Sequence, residues 1–197
     1  MCQPRYGIWI PVGGNYGAMN HPQSPRDASF ERAKVLIQLA EECGFTTTLI
    51  AQHIANPRNP DFDQLETWTT ASALAAVTNQ IEIIAAIKPL LFHPVVLAKM
   101  ALGIDAISNG RFAINLVSAW FKPEMEKSGI PFLPHDERYR YSTEWLQVVK
   151  ALWSGEVVNF QGDYFQISDL KLLPRPLLVY VHTLLVHLIP AKEYFHT

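Results

Sequence analysis

The first 155 residues alternate short apolar runs with longer segments in which apolar residues recur at helical spacing. The short runs, which we expect to be β-strands, cover residues 6–12, 45–51, 81–87 and 111–118. The helical segments cover residues 30–43, 64–78, 94–107 and 138–153, because apolar side chains three and four positions apart line one face of a helix. Four strand–helix repeats with connections long enough for crossovers predict parallel βαβ units. Open doubly wound sheets and (β/α)8 barrels are both built this way.

Residues with known capping preferences stand at several of these boundaries. Asp27 or Ser29 can cap the start of the first helix, and Gly44 can end it. Pro94 suits the first turn of the third helix, and Asn109 followed by glycine is a typical helix stop. The boundaries of these two helices are therefore predicted from two independent signals.

The pattern changes after the fourth helix. Residues 157–160 and 164–167 flank a turn that contains glycine, which predicts a β-hairpin. From Leu178 onward the chain is apolar and dotted with histidine, and it follows neither the helical nor the strand period. We therefore expect residues 1–177 to form one unit and residues 178–197 to be an atypical tail.

Composition narrows the class of protein. The chain has 197 residues, of which 49% are hydrophobic and 17% charged, with a net charge of −2. This argues against disorder, and it lacks the excess of basic residues that nucleic-acid binding needs. No apolar stretch reaches the roughly 20 residues of a membrane span. We therefore expect neither nucleic acid nor a membrane as partner. Two cysteines, Cys2 and Cys43, are too few for a disulfide framework, so we expect a reducing, cytoplasmic location.

Several common site motifs are missing. The first strand is not followed by GxGxxG, and no GxxxxGK[ST] occurs, which disfavours the usual dinucleotide and nucleoside-triphosphate sites. Ser118 lies outside any GxSxG turn, which argues against an α/β-hydrolase. The histidines have no paired-ligand spacing, so we predict no metal.

The densest group of candidate residues lies at the end of the fourth strand, where parallel α/β folds bind ligands. Asn115 is an amide within an apolar strand, and it can bond a planar heterocycle or satisfy neighbouring backbone groups. Trp120 and Phe121 can wall a ring-shaped ligand or cover the end of the sheet. Glu124 can bond a ligand or cap a helix.

Other candidates have a structural explanation of equal or greater weight. Residues 135–139 suit an anion or a sugar at a helix N-terminus, but spacing alone favours a charged helix cap. Gln52 and His53 follow the second strand and face the same end of the sheet. His93 is either an acid–base group or part of a helix cap, and Glu66, three residues after Asp63, fits either a capping-box N3 position or an active site.

Residues 109–176, which include WFKPE and HDERY, resemble the bacterial-luciferase-like flavin monooxygenases. Within that family they are similar to the branch of alkanesulfonate, dimethylsulfone and pyrimidine monooxygenases. The likeness runs from about Tyr6 to Leu177 and includes WIPVGGNYG, EECGFTTTLIAQ and HPVVLAKMALGIDAISNGR. It implies a TIM-barrel fold, of which this α/β chain would supply roughly the first four βα units and a hairpin.

The resemblance also implies a chemistry. Reduced FMN, delivered by a separate NAD(P)H-dependent flavin reductase, would be used with O2 to insert one oxygen atom into a small organosulfur substrate. By position, Asn115, Glu124, Gln52 and His53 would contact the flavin, and Arg138 and Tyr139 would bind its ribityl-phosphate end. The expected substrate pocket contains Trp120, Glu66 and His93.

The chain departs from the family at two places. Residues 54–63 lack the cysteine that the alkanesulfonate enzymes carry there, so the chain looks closer to the dimethylsulfone and pyrimidine enzymes. After Leu177 the fifth strand and its Gly-Gly-Ser phosphate turn are missing. We therefore expect the tail to come from a frameshift or a shortened gene model, and the chain to bind FMN weakly and turn over little.

Two alternatives remain open. A half-barrel with exposed sheet edges would tend to associate, so the chain is either an enzyme that is homo-oligomeric if folded, or a non-catalytic half-barrel that pairs with itself or with another half. A deazaflavin-dependent reductase is the other possibility, and the WFKPE and HDERY segments make it the weaker one.

Overall fold

A computed structural model describes residues 5–13, 28–119 and 121–177. The sheet strands are β1 (Gly7–Trp9), β2 (Thr47–Ile50), β3 (Glu82–Ile87) and β4 (Phe112–Leu116). The helices are α1 (Phe30–Glu42), α2 (Thr67–Ala76), α3 (Pro94–Ser108), α4 (Lys122–Lys127) and α5 (His135–Trp153), with a short 3-10 helix at Pro89–Leu91. The strands β5 (Val157–Gln161) and β6 (Gln166–Lys171) follow α5.

The four sheet strands lie in the order β1-β2-β3-β4, and every neighbouring pair is parallel. A doubly wound sheet reverses its strand order at a switch point, whereas a (β/α)8 barrel adds each strand beside the previous one. The observed order is that of a barrel segment, and β5 and β6 form a separate antiparallel hairpin. The expectation of four parallel βα units and a hairpin is therefore confirmed.

Alternation along β3 separates the core from the barrel interior. Ile83, Ala85 and Ile87 are buried in the cluster that packs under the helices. Ala86, between two of them, lines a cavity on the opposite face, as the two-residue period of a strand requires. Because both faces of β3 are covered, its apolar run is almost continuous.

Capping chemistry sets the helix ends. Ser29 Oγ accepts from the backbone N–H of Arg32 at 3.3 Å, so Ser29 is the N-cap of α1, while Asp27 lies outside the described residues. Gly44 has φ 85° just after α1, and Asn109 ends α3 with φ 55°. Both are left-handed positions that glycine and asparagine tolerate.

Several boundaries differ from the expectations, among them the second hairpin strand, which is Gln166–Lys171 and not 164–167. Helix α2 begins at Thr67 rather than at residue 64, because Glu66 caps it. Helix α5 begins at His135, three residues earlier than expected, and α4 was not anticipated as a helix. Strand β1 is shorter than residues 6–12, since only Gly7–Trp9 pair with β2.

At the end of the sheet where the strands begin, polar side chains form hydrogen bonds to the backbone of neighbouring segments. Arg111 donates from Nε to the carbonyl of Ser108 at 2.7 Å and from its terminal nitrogens to Ile81 at 2.7 Å and Ala75 at 3.0 Å. The Glu41 carboxylate accepts the backbone N–H groups of residues 79–81. Burial favours a higher pKa for Glu41, but these N–H groups and the charge of Arg111 bring its pKa below the usual value. Such contacts at the start of barrel strands contribute to stability rather than to chemistry.

The last described residues lie against α3. The backbone N–H of Leu177 donates to Asp105 Oδ2 at 2.7 Å. Burial raises the pKa of the Asp105 carboxyl, and this hydrogen bond opposes the rise. Residues 178–197 lie outside the described residues, so the boundary at Leu177 and the frameshift origin of the tail stay predictions.

Candidate functional site at the carboxyl ends of the strands

Side chains from three strand ends meet around one cavity of about 130 Å³. Gln52 and His53 follow β2, Lys88 follows β3, and Asn115 lies near the end of β4. Trp9 of the edge strand β1 also lines the cavity and is 61% exposed. The structure therefore brings together Gln52, His53 and Asn115 as the sequence predicted, at the end of the sheet where such folds bind ligands.

Glu124 holds this arrangement together from α4. Its Oε1 accepts from the backbone N–H of Ile54 at 2.7 Å and from His53 Nδ1 at 3.2 Å. Its Oε2 accepts from Lys88 Nζ, and the two side chains are each 3% exposed. Glu124 is not among the residues that line the cavity. The carboxylate therefore does not border the cavity itself but holds two of the side chains that do, His53 and Lys88.

The protonation states of this cluster follow from its hydrogen bonds. Burial alone would raise the pKa of Glu124, but the donors His53, Lys88 and Ile54 N–H, with the charge of Lys88, lower it to about 2. Burial lowers the pKa of Lys88, and the hydrogen bond and charge of Glu124 oppose that shift. A carboxylate with several donors favours its ionised form, so we treat the cluster as a buried Lys88–Glu124 ion pair.

Asn115 has the strongest signature of a ligand-binding group in the cavity. Its side chain is 5% exposed, and its buried Oδ1 has no hydrogen-bond partner in the described part of the chain. Leaving such an atom unpaired costs about 1–3 kcal/mol, so a buried orphan calls for an explanation. A planar ligand carrying an N–H group would satisfy it.

Gln52 has a fixed orientation. Its Oε1 accepts from the backbone N–H of Lys88 at 2.7 Å, which joins the ends of β2 and β3. An amide has donors at its other end. Gln52 and Asn115 together therefore give the cavity both donor and acceptor groups.

A second cavity of about 310 Å³ shares Gln52 and His53 with the first. Its other lining residues include Ile54, Leu91 and Phe92, together with Glu66. Two adjoining cavities with a common wall can hold a cofactor and a substrate side by side. Trp120, which we assigned to a substrate pocket, lies outside the described residues.

Glu66 and His93 both cap helices. Glu66 is itself the N-cap of α2, where its two oxygens accept from the N–H groups of Trp68 at 2.9 Å and Thr69 at 2.6 Å. The capping-box assignment, which put Glu66 at N3, is wrong, because the helix starts three residues later than expected. His93 caps α3 by accepting from Val95 N–H at 3.4 Å, as its alternative interpretation held.

Arg138 and Tyr139 lie at the start of α5. Arg138 donates from Nε to the carbonyl of Ser118 at 3.0 Å and from Nη1 to that of Leu133 at 2.6 Å. Its guanidinium also stacks on Phe132, 4.2 Å from the ring centroid. Tyr139 packs beside His135 with 4.7 Å between the ring centroids. These contacts join the loop after β4 to α5, and the phosphate role of both residues stays a prediction.

Lys88 is the site residue that sequence reasoning missed. A lysine directly after an apolar strand is usually solvated, whereas here the residue is 3% exposed. The available signal was its position, since Lys88 directly follows β3 and Gln52 lies just after β2. Among the described residues there is no group of three His, Cys, Asp or Glu side chains suited to a metal ion.

A family comparison agrees with this geometry. The sequence profile of the Luciferase-like monooxygenase family matches residues 5–185. The chain belongs to this family. The match covers all four βα units and the hairpin, which confirms the resemblance inferred from the motifs.

Two curated relatives show which enzymes the chain is similar to. The chain is 36% identical over 177 residues to pyrimidine monooxygenase RutA of Allorhizobium ampelinum, which covers 87% of this chain and 48% of the relative. It is also 36% identical over 180 residues to the FMNH2-dependent dimethylsulfone monooxygenase of Pseudomonas putida, with coverages of 90% and 49%. The chain therefore spans about half the length of the curated relatives it matches.

Solved structures support the fold. Riboflavin lyase RcaE, solved with modified FMN and riboflavin, superposes with a TM-score of 0.73 over 89% of this chain and 48% of that chain. The sequence identity is 19%, so this likeness shows the fold alone. No helix in the described ranges is both long and apolar enough to cross a membrane.

Proposed function

We propose that this chain supplies the flavin-binding first half of a two-component, FMN-dependent monooxygenase. The observation that carries the proposal is the buried Asn115 Oδ1 without a partner, placed in a cavity at the carboxyl ends of parallel strands. Membership of a family of monooxygenases and the similarity to an FMNH2-dependent relative support the choice of ligand.

The residues present fit the ring of a flavin. Asn115 and Gln52 would hold its donor and acceptor groups, and the buried Glu124 would keep the strand ends fixed in register. Arg138 and Tyr139 would lie toward the ribityl-phosphate end. The bound reduced cofactor would supply the electrons that activate O2, so that one oxygen atom enters the substrate. The protein's part is to bind, orient and exclude water.

The second cavity favours a small substrate. Its apolar wall of Ile54, Leu91 and Phe92, with the polar Gln52 and His53 at the junction, suits a compact molecule that carries few hydrogen-bonding groups. Dimethylsulfone-type organosulfur compounds have this character, whereas small heterocycles of the kind named for the pyrimidine enzymes would also need the polar Gln52 and His53. An alkanesulfonate is the weaker choice, since residues 54–63 contain no cysteine.

The proposal also covers the partner protein, the cellular location and the oligomeric state of the enzyme. A separate NAD(P)H-dependent flavin reductase would deliver the reduced FMN, as the name of the FMNH2-dependent dimethylsulfone relative suggests. We place the protein in the cytoplasm on its cysteine usage. We also propose a homo-oligomer for the folded protein.

Fluorescence titration tests the flavin assignment. FMN is added to the 197-residue chain and to Asn115→Leu, and quenching of flavin emission is followed. We expect saturable binding by the unchanged chain and at least a ten-fold higher Kd for the variant. Absence of saturable binding by the unchanged chain would contradict the proposed function. A Kd near or below one micromolar would contradict only the expectation of weak binding.

A second candidate function rests on the sheet edges. In the described part of the chain β1 and β4 are the outer strands of the sheet, and Tyr6 and Trp9 beside one edge are 63% and 61% exposed. Unpaired strand edges favour association. A discrete dimer in size-exclusion chromatography that binds no FMN would favour a self-associating module over the enzyme.

A further inference from the structure

The buried ion pair at the site is oriented toward the cavity. Lys88 lines the cavity, whereas Glu124 stands behind it and is bonded by Lys88, His53 and the Ile54 N–H. Among the described residues that line this cavity, Lys88 is the one that carries a fixed formal charge. Lys88 is therefore the member of the pair that borders the cavity of the proposed flavin.

A buried ion pair needs a reason. Two desolvated charges often contribute no more stability than apolar residues of similar size would. At the end of an apolar strand such as β3, another apolar residue would be buried at a lower cost in free energy. A lysine that is 3% exposed and is joined through Glu124 to the segment after β2 is therefore better explained by an effect on the ligand than by stability.

We infer that Lys88 is a specificity-determining residue that makes the cavity prefer reduced over oxidised flavin. The inference rests on the proposed function. Oxidised flavin has an uncharged ring at neutral pH, whereas fully reduced flavin readily loses a proton and then carries negative charge on its pyrimidine ring. A fixed cation next to the ring stabilises the second form more than the first, and charge at this part of the ring is how proteins tune flavin electronics. Glu124 positions the ammonium and does not itself touch the ring.

This preference suits a two-component system. A protein that receives reduced flavin from another enzyme gains from binding the reduced form and releasing the oxidised form. A cation placed by a rigid buried partner achieves this discrimination without a conformational change.

Anaerobic titrations of the full chain test the inference. Oxidised FMN and dithionite-reduced FMN are titrated into the unchanged protein, Lys88→Met, Lys88→Arg and the double variant Lys88→Met/Glu124→Gln. Lys34→Met, which removes a half-buried lysine that pairs with the exposed Glu31 on α1, is the matched control. Loss of Lys88 should raise the Kd for reduced FMN at least ten-fold and that for oxidised FMN less than three-fold, and Lys88→Arg and Lys34→Met should keep the preference.

The midpoint potential of the bound flavin also reports the ratio of the two Kd values, without an activity assay. A ten-fold change in the ratio of the two Kd values corresponds to about 30 mV in the midpoint potential of a two-electron couple. The potential of the bound flavin should therefore fall when Lys88 is replaced by Met. Because a lone buried Glu124 could prevent folding, the double variant, which removes both charges, provides the measurement if the single variant does not fold.

Riboflavin separates the ring from the phosphate. Since riboflavin lacks the phosphate, the effect of Lys88→Met should persist with reduced riboflavin. An effect confined to FMN would assign Lys88 to the phosphate and overturn the inference, as would equal losses for both redox states. If the unchanged chain bound flavin in neither state, the proposed function itself would fail, whereas intact binding without a redox-selective loss would refute only the role of Lys88.

Discussion

The ammonium of Lys88, at the end of β3, pairs with the carboxylate of Glu124 in α4, and each side chain is 3% exposed. The two residues are 36 positions apart, so the pair forms only when the end of β3 and α4 come together. The other carboxylate oxygen accepts from His53 and from the N–H of Ile54, after β2. Four residues from three segments thus share one buried hydrogen-bonded unit, which fixes the wall of the proposed flavin cavity.

Replacing Glu124 by Gln should destabilise the fold. The variant leaves the Lys88 ammonium buried without a counter-charge, and breaking a buried pair in this way costs about 3–5 kcal/mol. We expect a loss of about 3 kcal/mol in the free energy of unfolding, measured by urea denaturation at pH 7. Glu126→Gln is the control on the same helix, because its pair with Lys122 is exposed and should change stability by less than about 1 kcal/mol. Equal effects of the two variants would contradict a buried charged pair.

Stability should also depend on pH through Glu124. Its folded-state pKa of about 2 lies below the ordinary value of 4.5, so its contribution is present above pH 4.5 and is lost as the pH falls toward 2. The full contribution is about 3 kcal/mol. Unfolding free energies of the unchanged protein and Glu124→Gln, measured from pH 7 to pH 2.5, should therefore converge at low pH. Other titrating groups such as Asp105 are common to both proteins and cancel in the difference, so a constant gap would rule out this linkage.

The fold was largely predictable because its signals are local. Four apolar runs and four helical faces are enough to predict parallel βα units, and Asn109 marks a helix end at the observed residue. Helix α4 escaped prediction because its six residues, KPEMEK, are too short for a helical period and include Pro123. The choice between a barrel and an open sheet required the strand order, which depends on long-range pairing.

The site was predictable only in part. Asn115 and Gln52 could be found because each stands where an apolar strand ends. The structural role of Glu124 could not, since its partners Lys88 and His53 are 36 and 71 positions away. Lys88 itself looks like an ordinary solvated lysine until its burial is known.

Arg138 provides a test of the phosphate end. Because Nε and Nη1 already donate to the carbonyls of Ser118 and Leu133, its guanidinium is held at the start of α5, where we propose that it meets the ribityl phosphate. Arg138→Met should raise the Kd for FMN at least ten-fold and that for riboflavin less than two-fold. Arg140→Met, which removes an exposed arginine from the same helix, should change neither value. An equal loss of both ligands would show that Arg138 serves only to join the loop to α5.

Asn115 should give opposite effects on stability and on binding. Its buried Oδ1 has no partner in the described ranges, so Asn115→Leu removes an unsatisfied polar group and should leave the free energy of unfolding unchanged or raise it by up to about 1 kcal/mol. Asn56→Leu is the matched control, since Asn56 is equally buried but accepts from the N–H groups of Arg58 at 3.0 Å and Asn59 at 3.3 Å. It should cost about 1–3 kcal/mol, because those donors lose their partner.

In urea denaturation, Asn56→Leu should therefore be the less stable of the two variants. In FMN titration, Asn115→Leu should be the weaker binder, with at least a ten-fold loss of affinity. The physical reason is that an unpaired polar atom is kept at a cost to stability only where a ligand completes its hydrogen bonds. If Asn115→Leu destabilised the protein as much as Asn56→Leu, the amide would have a structural role. The cavity would then lose the group that identifies it as a flavin site.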